Sequence, residues 1–304
     1  MKTIFIDCTD QLEPLLARAR QPDDPPIVVN KLPVEPADLP ALVAGYQACM
    51  VDHSYLSAPV LARCTDLRHI VFLGTGAASY IDVGAATERG IAVHTIKGYG
   101  DRAVAEHTIA LMMSCARGVA RMDRAIRAGT WETLEGLQLA GRTLGVIGLG
   151  AIGREVARLA AAIGLSVIAW NRSPVADPPV EMVELDALLA RADIVSLHLG
   201  LNDTTRGFLE AARLARLKRG CILINTARGA LVDETALLDA LTTGRIAHAG
   251  LDVFETEPLA RDHPLTRLDS VTLTAHAGFC TEDAALELLR RAVAIVRALD
   301  AQPT

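Results

Sequence analysis

Short runs rich in Val and Ile alternate with segments whose apolar residues recur every three or four positions, almost from one end of the chain to the other. Runs of the first kind suit strands buried on both faces, and segments of the second kind suit the helices that cover them. The alternation therefore predicts βαβ units around parallel sheets. In the first third, strands are expected at Thr3 to Cys8, Ile27 to Asn30, Gln47 to Val51, His69 to Leu73 and Ile91 to Thr95, with helical segments such as Leu12 to Arg20 and Asp82 to Arg89 between them. A long helical pattern then begins near Ala103 and carries Val104, His107, Thr108, Leu111 and Met112 at helical spacing before Gly129 and Trp131 close it. Six further strands follow, at Thr143 to Ile147, Leu165 to Trp170, Asp193 to Leu199, Cys221 to Thr226, His248 to Val253 and Val271 to Thr274. The last apolar-periodic stretch, Glu282 to Leu299, has Thr281 as its N-cap and acidic residues in its first turn. The fold class expected is α/β, with two doubly wound parallel-sheet domains.

One strand leads into a distinctive turn. In GRTLGVIGLGAIGREVARLAAAIG an apolar run enters Gly148, Gly150 and Gly153 and continues directly into an Ala-rich helix. Gly148 permits a tight turn, Gly150 lets backbone approach a pyrophosphate, and Gly153 allows close helix-on-strand packing, with phosphates facing the helix N-terminus beside Ala151 and Ile152. About 20 residues on, at the end of the next strand, the residue that reads the adenosine ribose is expected. Asn171, followed by Arg172 and Ser173, stands there in place of an acidic side chain. An amide next to Arg and Ser can donate to a 2'-phosphate, so NADP(H) is favoured, with NAD(H) as the other possibility.

Composition narrows the partners. With 304 residues, 51% of them apolar, the chain has material for more than one core. A formal net charge of -6 argues against nucleic acid. Six scattered cysteines without a CxxC pair suit reduced thiols, neither a zinc site nor a disulfide scaffold. No apolar run reaches the roughly 18 residues of a membrane span, and the N-terminus lacks a signal-peptide pattern, so the cytoplasm is the expected location. Glu106 and His107 are adjacent, but HExxH is absent and no metal is expected.

Three pieces of the second series end strands or open loops: INTARGALVDE, LDVFETEPL and TAHAGF. Ligands of doubly wound sheets bind outside the carboxyl ends of strands, so these pieces should converge on one site. Their side chains suit carbonyl reduction of a 2-oxo acid. Arg228 offers a bidentate fork to the carboxylate and carbonyl, His276 a proton donor for the developing alkoxide, and Glu257 a carboxylate to pair with that histidine.

With these pieces in order, the chain resembles the D-isomer-specific 2-hydroxyacid dehydrogenases, a family that includes glyoxylate and hydroxypyruvate reductases, phosphoglycerate dehydrogenase and D-lactate dehydrogenase. FLGTGAASYID, ERGIAV, GYGDRAVAEHTIALMM, GLGAIG, DIVSLHLGLNDTTRG, INTARGALVDE, LDVFETEPL and HAG carry the resemblance over nearly the whole chain. It implies that the family's catalytic Arg, Glu and His fall on Arg228, Glu257 and His276. It also implies that Asp252 holds the nicotinamide carboxamide and that backbone amides around Thr75 and Gly76 receive the substrate carboxylate. His198, Leu199, Thr205, Thr226 and Ala227 complete the expected cofactor surface. The arrangement implied is a Rossmann cofactor domain, 98–282, inserted into a flavodoxin-like substrate domain, 1–97 plus 283–304, in a homodimer. The substrate expected is a small 2-oxo acid such as glyoxylate or hydroxypyruvate. Phosphoglycerate dehydrogenase and a non-catalytic dinucleotide-sensing protein on the same fold stay open as alternatives. The chain departs from the family pattern at three places. The loop Gly74 to Asp82 is one residue longer, Leu199 and Gly200 replace the frequent x-Pro after His198, and Asn171 with Arg172 replaces the acidic residue of NAD-using members.

Overall fold

The structure is a computed structural model, described here for residues 1–301; the last three positions of the expected 283–304 segment lie outside the described residues. The chain divides into two compact units, Met1–Gly100 with the segment from Cys280 onward, and Asp101–Phe279.

The first unit holds β1 (Thr3–Phe5), β2 (Ile27–Val29), β3 (Ala48–Val51), β4 (His69–Phe72) and β5 (Ala92–Thr95), all parallel, in the order β2-β1-β3-β4-β5. That is the flavodoxin-like order. The strand period of two explains its two cores. Ile4, Cys49 and Ile70 face one side with Leu61 and Leu67, whereas Phe5, Met50 and Val71 face the other against Leu289, Val293 and Val296 of the terminal helix Glu282–Asp300. The Thr281 hydroxyl caps that helix by accepting from the Ala284 N–H at 3.1 Å. Near its far end, Arg297 donates to the fully buried Asp24 carboxylate at 2.5 Å, a bond that holds this carboxyl below the usual range.

The second unit holds seven parallel strands: β6 (Thr143–Ile147), β7 (Ser166–Trp170), β8 (Glu181–Met182), β9 (Ile194–Leu197), β10 (Cys221–Asn225), β11 (Ile246–Leu251) and β12 (Val271–Leu273). Their order is β12-β11-β10-β9-β6-β7-β8. Counted within the unit this is 3-2-1-4-5-6 with a seventh strand beyond the sixth, the dinucleotide-fold order. The order reverses between β6 and β9, which makes the carboxyl ends of those two strands the switch point.

β1 and β9 stop at Phe5 and Leu197, short of the expected Cys8 and Leu199, and three other elements also differ from expectation. The two-residue strand β8 is an added edge, too short to carry a periodic signal. β11 starts and ends two residues before the expected His248 to Val253, because Asp252 leaves the sheet to bind a neighbouring turn, and a register shift between Cys221 and Ile222 admits the earlier start. The long helical pattern is two helices, Asp101–Arg117 and Val119–Arg127, separated by Gly118 at φ +62°. No helix among the described residues is long and apolar enough to cross a membrane.

Candidate dinucleotide cradle and catalytic group

The turn after β6 is shaped by its glycines. Gly148 sits at φ +99°, and a Cβ there would lie 2.5 Å from the His198 carbonyl oxygen, so the ends of β6 and β9 can approach only without a side chain. A Cβ at Gly153 would meet the Gly148 carbonyl oxygen at 2.1 Å. Gly150 differs: a Cβ there would meet nothing within 4 Å. The space in front of Gly150 is thus open, at the N-terminus of the 12-residue helix Ala151–Ala162, whose N-cap lacks a side-chain bond and whose first turn lacks an acidic residue. Open backbone amides at a positive helix end suit a pyrophosphate, and the residues present fit a dinucleotide.

Asn171, at the end of β7, spends its carbonyl on the Leu149 N–H at 3.0 Å and donates to the Ser173 carbonyl at 2.9 Å. It braces the glycine turn; Arg172 and Ser173 beside it are exposed, and Arg172 donates to Thr204 Oγ1 at 3.2 Å. At the end of β9, Ser196 Oγ lies 2.9 Å from His198 Nε2. Burial pushes this imidazole down to about 4, so it is neutral near pH 7. The side chain of Leu199 lies 3.0 Å from where a Gly148 Cβ would be. Thr205 folds the following loop onto itself by donating to the Gly200 carbonyl at 2.8 Å and accepting from the Asn202 N–H at 2.8 Å.

After β10, the Thr226 hydroxyl lies 2.8 Å from Thr108 Oγ1, which itself donates to the Val104 carbonyl at 2.7 Å, so Thr226 is the donor in that pair. Asn225, buried at the end of an apolar strand, accepts from the Ala227 N–H at 3.0 Å and donates to the Arg228 carbonyl at 2.9 Å. It is the residue that shapes the Arg228 turn. Gly229 lets that turn lie on the segment before Glu257: a Cβ would be 1.9 Å from the Phe254 carbonyl carbon. Neither role follows from residue type alone, although an amide ending the apolar run CILIN is a sequence signal for a partnered polar group.

Glu257 accepts from the Phe254 N–H at 2.9 Å with one oxygen and meets His276 Nδ1 at 2.7 Å with the other. His276 lies at φ +50°, a left-handed conformation that costs a residue with a Cβ roughly 1 to 2 kcal/mol. Asp252 holds it there. Its main-chain carbonyl accepts from the His276 N–H at 2.7 Å. Its carboxylate, 2% exposed, accepts from Thr274 Oγ1 at 2.6 Å, Ala277 N at 2.9 Å and Gly278 N at 2.9 Å. Burial would raise this carboxyl, but His107, Thr274 and the two amides outweigh it and leave it below the usual range. Gly148, Asn171, His198, Asn225 and Asp252 thus stand at the carboxyl ends of β6, β7, β9, β10 and β11.

Thr75 and Gly76 belong to the first unit. They follow β4 in a loop continued by the short helix Ala77–Ser79, where the Gly76 carbonyl accepts from the Ser79 N–H at 3.0 Å. Beside it, Tyr80 stacks on Phe72 with centroids 5.4 Å apart.

Comparison with known proteins agrees with this arrangement. Residues 109–278 match the family model for the D-isomer specific 2-hydroxyacid dehydrogenase, NAD binding domain. A hydroxypyruvate reductase of Thermotoga maritima is 41% identical over 75% of this chain and 76% of its own length. A D-3-phosphoglycerate dehydrogenase of Archaeoglobus fulgidus is 37% identical over 81% of this chain and 48% of its own, so the chain spans about half that relative's length. Among solved structures, the pyruvate reductase of Chlamydomonas reinhardtii matches with a TM-score of 0.88 and 27% identity, covering 100% of this chain and 97% of that one.

Proposed function

The chain belongs to the D-isomer specific 2-hydroxyacid dehydrogenase family, and on that premise we propose that it is an NAD(P)-dependent oxidoreductase interconverting a small 2-oxo acid and its 2-hydroxy acid. The observation that carries the reading is the His276 and Glu257 pair at 2.7 Å. With Nδ1 engaged by the carboxylate, Nε2 is the ring nitrogen left to give a proton to the oxygen on C2 as it becomes an alkoxide, or to take one back in the reverse direction. Arg228 binds the carboxylate and the carbonyl oxygen and stabilises developing negative charge. Within the first unit, backbone amides at Thr75 and Gly76 would offer donors to a substrate carboxylate. In this reading Met1–Gly100 with the segment from Cys280 is the substrate domain and Asp101–Phe279 the dinucleotide domain.

A bound nicotinamide dinucleotide supplies the hydride. Gly148, Gly150, Ala151, Ile152 and Gly153 would hold its pyrophosphate, and Leu199, Thr205, Thr226 and Ala227 would line its edge with the neutral His198. Asp252 would meet the carboxamide through Oδ2, which has a single protein donor. Arg172 and Ser173 favour NADP(H), since a guanidinium and a hydroxyl suit a 2'-phosphate. Hydroxypyruvate and glyoxylate are the substrates we favour, because the Thermotoga maritima relative named hydroxypyruvate reductase matches about three quarters of both chains. Six free cysteines, five of them buried, fit a reducing compartment, and we place the protein in the cytoplasm. The apolar face around Ile126 and Trp131 would form a homodimer contact.

The reading is tested by following reduced-cofactor absorbance with NADPH and NADH against glyoxylate, hydroxypyruvate and pyruvate. Turnover should be faster with NADPH, and His276→Ala should lose most of it while still binding cofactor. Unchanged turnover in that variant would remove His276 from the mechanism, and silence of the native protein with every acid would overturn the proposed activity.

A further inference from the structure

His107 has no part in the chemistry above, yet its Nε2 lies 2.9 Å from Thr274 Oγ1 and 3.3 Å from Asp252 Oδ1. The direction of these bonds can be worked out. Thr274 gives its one hydroxyl hydrogen to Asp252 at 2.6 Å, so toward His107 its oxygen is the acceptor and the imidazole Nε2–H the donor. A relay of donors therefore runs from His107 through Thr274 to Asp252. The carboxylate at its end holds the Ala277 and Gly278 amides, and the main chain of the same residue holds the His276 N–H. The ring also packs on this turn: its Cδ2 lies 3.6 Å from where a Gly278 Cβ would be. His276 needs such support, because φ +50° persists only where its surroundings fix it.

We propose that His107 is a positioning residue for the reaction: its Nε2–H, acting directly and through Thr274, fixes the ionised Asp252 carboxylate that holds the turn from which His276 presents its imidazole. Because the donor is a single N–H, glutamine can replace the ring, as its amide nitrogen reaches to a similar place, whereas leucine of similar bulk cannot. The inference rests on His276 being the proton donor.

The test compares His107→Leu, His107→Gln and Thr274→Val by steady-state kinetics at saturating reduced cofactor, with cofactor binding and the thermal midpoint measured alongside. His107→Leu should lower kcat by up to about 100-fold, the scale of a small misplacement of a reacting group, with KM for the 2-oxo acid changed far less. His107→Gln should restore most of kcat. Thr274→Val should lower kcat as well, and the variant with both changes should lose less than the product of the two single losses, since the residues share a bond although each also meets Asp252. If His107→Leu fails to fold, Thr274→Val and His107→Gln decide the matter. A folded His107→Leu enzyme with native kcat would overturn the proposal, as would a His107→Gln enzyme as impaired as the leucine variant. An active His276→Ala enzyme would instead condemn the underlying mechanism, whereas a dead His276→Ala beside a fully active His107→Leu refutes only the role of His107.

Discussion

Within the turn after β6, Gly150 and Gly153 are three residues apart and are glycines for opposite reasons, and alanine separates them. At Gly153 the added methyl would lie 2.1 Å from a backbone oxygen, so helix and strand must part. A loss of about 1 to 3 kcal/mol is expected, read as a lower denaturant midpoint. At Gly150 the methyl has room, φ is -75°, and stability should stay within about 0.5 kcal/mol. There the methyl instead fills the open space proposed for the pyrophosphate, so cofactor binding should weaken while the fold holds. If Gly150→Ala binds NADPH like the native chain, the cradle lies elsewhere. The glycine turn was legible in the sequence because strand, turn and helix are contiguous, and the pairing of Glu257 with His276 was expected from residue type and order. Gly229, Asn225 and His107 were harder. The obstacle at Gly229 is Phe254, 25 positions away, and the acceptor of His107 is Thr274, which no local pattern brings near.

Most elements were readable from period alone, and those that were not share a cause: something outside the segment sets their limits. The bounds of β11 depend on the bonds Asp252 makes to the turn beyond β12. Helix Val119–Arg127 is the case with consequences. It is strongly two-faced, yet none of its residues is buried, and Val119 and Ile126 are 53% and 56% exposed. Trp131, just beyond it, is 88% exposed, and an Arg121 to Glu132 ion pair fixes the segment between. An amphipathic helix none of whose apolar residues is buried is accounted for if a second copy covers the exposed part of its face. Sedimentation of the native protein should then give a dimer, and Ile126→Glu, which sets a carboxylate on that face, should shift it toward monomer. A native protein that sediments as a monomer would leave this helix without a partner.

At the scale of the molecule, several ionisable groups are tuned in one direction, so their effects on stability add. In the folded chain burial pushes His198 and His248 down to about 4 from the ordinary 6.5, with Arg124 and Arg121 adding to the effect at His248. Between those values the folded imidazoles stay neutral while an unfolded chain takes up the protons. The unfolded state thus binds more protons, and the free energy of unfolding falls as pH drops from about 6.5 to about 4. Asp193 and Asp252 extend the trend. Although burial opposes it, the Thr143 N–H and Lys218 hold Asp193 below the usual range, as His107, Thr274 and two amides do Asp252. Their stabilisation is complete above the unfolded value near 3.9 and is lost as pH falls through the lower folded values. The tryptophans, Trp131 and Trp170, both lie in Asp101–Phe279 with these four groups, so tryptophan emission, excited selectively, reports on that unit by itself. At constant ionic strength its denaturant midpoint should fall steadily from pH 7 to pH 4.5, before the carboxylates contribute. His248→Gln keeps a donor for Thr272, 3.0 Å from the native ring, but cannot titrate, so its midpoint should fall less over the same interval. A native midpoint flat across that interval would mean that both imidazoles protonate freely inside the fold.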